Sequence, residues 1–145
     1  MSFWGKFWTT KNKNQSFRAF NKAYQIVQAY LTRSSVCAGD DCDAHQQRFD
    51  LPNSESLGKL LMAIVKSGYL PTISGGHATW SVTSAMPIAV IAQQWVEPRM
   101  LFLLPKDLAN LDRKEGILRV HFNYHAQLDP EIVLTVLREL RLRAI

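Results

Sequence analysis

Between Leu51 and Gly68 the chain has little choice of local structure. Ser54 can cap a helix, Leu57, Leu60, Leu61, Ile64 and Val65 recur at steps of three and four, and Ser67-Gly68 closes the segment. Serine before the periodic residues and glycine after them predict a helix over 53–67 with one apolar face. Such a face has to be covered by other parts of the fold. The chain has the material, because 47% of its 145 residues are hydrophobic and that length corresponds to one ordinary domain.

The flanking segments predict what covers it. From Ser16, the residues Phe17, Phe20, Tyr24, Val27 and Leu31 follow a helical spacing, which predicts a first helix over 16–33. A short second helix is expected over 43–49, after the turn-forming run Ala38-Gly39-Asp40-Asp41. Beyond Gly68, Tyr69–Ile73 and His77–Val82 are β-prone runs joined by Ser74-Gly75-Gly76, and they read as a hairpin over 69–82. Met86–Val96 carries Pro87, which suits a first helical turn, and Ile88, Val90 and Ile91, which suit a strand; the reading taken is helix. Arg99–Leu104 and Ile117–Tyr124 read as two strands that pair. Asp129-Pro130-Glu131 followed by Arg138, Arg141 and Arg143 predicts a C-terminal helix, since cap, proline and charges all suit its polarity.

Taken from Phe49-Asp50-Leu51 through Leu57, Leu61, Ile64 and Gly68-Tyr69-Leu70 to the Gly75-Gly76 hairpin, this pattern resembles the winged helix-turn-helix of bacterial transcription regulators. Its spacing is most similar to the N-terminal domain of the SOS-response repressor. The resemblance covers about residues 16–82 and implies an α+β fold, a winged helix-turn-helix followed by a small C-terminal strand-strand-helix portion. The division it implies is a basic aromatic arm over 1–15, a winged-helix domain over 16–82 and a C-terminal extension over 83–145 able to dimerise. By the same resemblance, 53–67 is the recognition helix and 69–82 the wing.

Charge placement suits that reading. Residues 1–33 hold Lys6, Lys11, Lys13, Arg18, Lys22 and Arg33 without one acid, within a chain of net charge +5. A basic leading segment fits contact with phosphates. The expected DNA-binding residues are Lys11, Lys13, Arg18 and Lys22 of the arm and first helix, Asn53, Ser54, Ser56, Lys59 and Lys66 of the recognition helix, and Gly75, Gly76 and His77 at the wing tip. The expected partners are double-stranded DNA and a second copy of the chain, the latter through the wide apolar face of Ile132, Val133, Leu134, Val136, Leu137 and Leu140. The alternative is a non-enzymatic protein-interaction module of adaptor, inhibitor or immunity type, in which Trp4, Phe7 and Trp8 or the Met62 region contacts another protein.

Other signals carry less. Cys37, Cys42 and His45 form a C-x4-C-x2-H cluster, but no second ligand pair accompanies it, so two free thiols are expected and no metal. His121, Asn123 and His125 share one side of a strand, where histidines are usually hydrogen-bonded structural residues. There is no phosphate-binding loop, dinucleotide fingerprint, nucleophile elbow or zincin motif. No enzyme and no cofactor is expected. The longest apolar run, Ala85–Ala92, is too short for a membrane span and contains a proline. Without a secretory pattern at the N-terminus, the expected location is the cytoplasm.

Overall fold

The computed structural model describes residues 26–144. In chain order the elements are β1 (Ile26–Arg33), a 3-10 turn (Asp40–Cys42), β2 (Gln47–Glu55), α1 (Leu57–Lys66), β3 (Thr79–Ser84), β4 (Met86–Ala92), β5 (Arg99–Met100), α2 (Pro105–Ala109), β6 (Arg113–Lys114), β7 (Ile117–Tyr124) and α3 (Pro130–Arg143). The strands form one seven-stranded mixed sheet in the order β2-β1-β7-β3-β4-β5, with β6 paired to the start of β7. Among the described residues only β1 and β7 run parallel, with Ala29 opposite Leu118 and Leu31 opposite Val120.

The alternation of side chains across this sheet decides what each face buries. On the first face, Ala29 and Leu31 of β1, Leu118, Val120 and Phe122 of β7, Trp80 and Val82 of β3, and Ala89 and Ile91 of β4 form the main core with Leu57, Leu60, Leu61 and Ile64 of α1. Trp80 packs on Tyr124 at 4.7 Å between ring centroids, and Tyr69 meets Phe122 edge-on at 5.8 Å. On the second face α3 covers β4, where Val90, Leu101, Val133 and Leu134 make a smaller cluster. A register shift opposite Val82/Thr83 displaces Ile88, which joins the main core.

This sheet-dominated domain replaces the expected winged helix-turn-helix. Residues 26–33, expected as the end of a first helix, are the strand β1, while 16–25 lie outside the described residues. The second helix expected over 43–49 gives way to a loop over 43–46 and the start of β2 at Gln47. The recognition helix is shorter than expected: Asn53, Ser54 and Glu55 belong to β2, and Ser56 rather than Ser54 caps α1, accepting from the Lys59 N–H. Tyr69–Ile73 forms no strand, so there is no wing, and β3 pairs with β4 and β7 instead. Met86–Ala92 is strand, not helix. The two later strands do not pair with each other, since β5 lies against β4. β7 and α3 stand where the sequence put them, α3 with Asp129 accepting from the Glu131 N–H and Pro130 in its first turn.

Candidate anion-binding face

Because α3 covers only the β4 side of the second face, the side formed by β2, β1 and β7 carries polar residues. Tyr30 of β1 stands opposite Arg48 of β2 on one side and Arg119 of β7 on the other. The three residues therefore form one row across three strands, all pointing to the second face. With Lys114, Glu115 and Ile117 from the β6–β7 hairpin they line a pocket of about 420 Å³. The lining sets Arg48, Lys114 and Arg119 against the Glu115 carboxylate, and with Asp112 beside Arg119 a net positive charge remains. Arg119 lies 3.5 Å from Asp112 through its Nε, and both side chains are about half exposed. That contact leaves the outer guanidinium nitrogens able to serve a second anion.

Next to the pocket, the same face carries a row of hydroxyls and imidazoles. Thr32 Oγ1 and His121 Nδ1 share a hydrogen bond at 2.7 Å, and Ser81 Oγ and His125 Nε2 share another at 2.7 Å. Between them, Asn123 Nδ2 donates to Thr83 Oγ1. Burial lowers the pKa of both histidines, so they are neutral near pH 7 and add no positive charge to this face. The Ser81–His125 distance is one that a nucleophile and its base would show. Ser81 is only 5% exposed, however, and offers its oxygen to no substrate. The row reads as a satisfied polar layer.

At the end of β1, Arg33 makes a two-pronged ion pair with Asp40 at 2.6 and 3.0 Å. Asp40 also accepts from the Val36 N–H and lies 3.5 Å from His45 Nε2. The Arg33 hydrogen bond, helped by Val36, holds the Asp40 carboxyl below the usual carboxylate range. The Tyr69 hydroxyl donates to the His45 carbonyl, and burial pushes its pKa up to about 12. A cavity of about 230 Å³ opens here between Arg33, His45 and Gly68-Tyr69. Its cation is already neutralised by Asp40, so the cluster ties the loop to the sheet. Cys37 and Cys42 are exposed and unbridged, and among the described residues no three His, Cys, Asp or Glu side chains are placed to hold a metal ion.

The residues expected to bind DNA are not gathered here. Lys11, Lys13, Arg18 and Lys22 lie outside the described residues. Lys59 and Lys66 are on the solvent side of α1, which packs on the opposite face of the sheet. Ser56 is occupied as the α1 cap. Asn53 and Ser54 sit in the edge strand β2, while Gly75, Gly76 and His77 form an exposed turn before β3. Tyr30, Arg48, Lys114 and Arg119, which line the pocket, are not among the residues expected from the sequence. The usable signal was Arg119-His121-Asn123, alternating with the buried Leu118, Val120 and Phe122. Among the described residues, no helix is long and apolar enough to cross a membrane. No family model, curated protein or solved structure matches the chain.

Proposed function

We propose that the protein is a non-enzymatic nucleic-acid-binding module that takes phosphates on the open half of its sheet. The observation that carries this reading is the row Arg48–Tyr30–Arg119, closed by Lys114 around one pocket. Guanidinium groups suit phosphate oxygens because their donors form a planar fork, and an aromatic ring between them offers a surface for a base. Lys6, Lys11, Lys13, Arg18 and Lys22, five cations without an acid in residues 1–25, supply further attraction. A concave site with an aromatic residue among cations suits a single strand, whose bases are free to stack, better than a duplex. The exposed thiols of Cys37 and Cys42 suit a reducing compartment such as the cytoplasm.

The test is a titration of labelled single-stranded and duplex oligonucleotides of one sequence at two salt concentrations. Affinity should fall with salt, and Arg48→Ala with Arg119→Ala should reduce the slope of log K against log salt by roughly 1.4 for a single strand. Tyr30→Ala should weaken the single strand by about 1–3 kcal/mol and leave the duplex nearly unchanged. Binding by neither oligonucleotide, or binding whose salt dependence ignores both arginines, rejects the proposal.

A further inference from the structure

The C-terminal helix has more apolar surface than its own chain covers. Val133 and Leu134 are buried against β4, but Ile132, Val136 and Leu140 are 61%, 50% and 56% exposed. Spacing of four residues places these three on one stripe. Glu131 pairs with Arg99 of β5 on the other flank of α3, so the stripe faces away from β5, towards β3 and β7. Leu128, two residues before the helix, is 58% exposed as well.

We infer that the stripe is the contact between two copies of this chain, with their α3 helices antiparallel about a twofold axis at Val136. The charge placement points to a second copy rather than to an unrelated partner. Antiparallel pairing about Val136 sets Ile132 against Leu140 of the other copy, Leu128 against Ala144, and Asp129 against Arg143. Every member of the stripe thus meets an apolar residue, and the acid at one end meets the base at the other. Asp129 uses one carboxylate oxygen to cap the helix, while no ion pair to Asp129 or Arg143 forms among the described residues. A twofold contact must be self-complementary in this way. The inference is independent of phosphate binding, because it uses none of the pocket residues.

Two measurements on the full chain test it. In a Cys37→Ser, Cys42→Ser background, Val136→Cys should oxidise readily to a covalent dimer, whereas Arg138→Cys, on the opposite side of α3, should not. By sedimentation velocity, Asp129→Arg or Arg143→Asp alone should weaken self-association by roughly tenfold, since two symmetric pairs become repulsive. The double variant should recover it. That recovery separates pairing from loss of the Asp129 cap, which the double variant also lacks. A chain that stays monomeric at all concentrations, equal cross-linking at 136 and 138, or no recovery in the double variant overturns the inference.

Discussion

The two faces of the sheet are covered by helices of opposite economy. The shorter helix, α1, turns Leu57, Leu60, Leu61 and Ile64 into the main core and leaves Lys59 and Lys66 to solvent. The longer helix, α3, buries Pro130, Val133 and Leu134 and leaves Ile132, Val136, Leu140 and Leu142 more than or about half exposed. Burial of apolar surface is the main favourable term in folding, so α1 is where the isolated chain draws its stability. The second face combines a partly covered apolar helix with a polar half-sheet, and that is the composition of a surface for other molecules.

The largest expected effect is the difference between these helices. Ile64→Ala or Leu61→Ala should destabilise the chain by about 2–5 kcal/mol, because both residues are fully buried and the cavity would not close. Ile132→Ala or Val136→Ala, measured by urea unfolding at concentrations too low for self-association, should change stability by no more than about 0.5 kcal/mol. Equal costs at Ile64 and Val136 would break the comparison, since α3 would then be as deeply committed to the fold as α1.

The same contrast explains what was legible in the sequence. The helices α1 and α3 and the strand β7 were legible because each carries a pattern of one period with its own boundary signals, such as Asp129-Pro130 for α3. β1 was not, because Val27 and Leu31 are four apart, a spacing that fits both a helical stripe and every second residue of a strand. In β4 all five residues from Ile88 to Ala92 are buried, since the main core lies on one side of the strand and α3 on the other, and the alternation that identifies a strand is erased. β2 is an edge strand whose described core residues are Phe49 and Leu51, too few to form a pattern. The pocket was hidden for a different reason. Arg48 and Arg119 are distant in the chain and meet only because Tyr30 has one as its antiparallel and the other as its parallel partner.

A smaller effect probes the polar half of the second face. Burial lowers the pKa of His121 and His125 in the folded chain, whereas both should titrate near about 6.5 when unfolded. Between these values the unfolded chain binds more protons, so stability is full above about pH 6.5 and declines as the pH falls through the lower folded values. The carboxylates of Asp40 and Asp107, held low by hydrogen bonds from Arg33 and Arg141, act only at more acidic pH. Unfolding free energy measured against pH should therefore lose its slope just below neutrality in a His121→Gln, His125→Gln variant. An unchanged slope would mean that this face is wetter than its hydrogen bonds imply. Ser81→Ala should cost about 1 kcal/mol, the usual value for one such hydrogen bond.

The smallest effect tests whether α1 is limited by packing or by its backbone. Gly58 lies in the first turn of α1, and a Cβ there would meet no atom within 4 Å. Its replacement by alanine removes conformational freedom from the unfolded chain without a clash, and should stabilise the protein by about 0.5–1 kcal/mol. Gly68, just past the end of the same helix, also has open space around it but holds φ at +78°. Alanine there should destabilise by roughly 1 kcal/mol, because the left-handed conformation is strained for a residue with a Cβ. The pair of variants thus differs in backbone angle and not in crowding. Opposite signs in thermal unfolding would show that α1 is held by a glycine-closed end and a packed face, with one replaceable glycine between them. A stabilising Gly68→Ala would instead mean that the chain leaves α1 by another route.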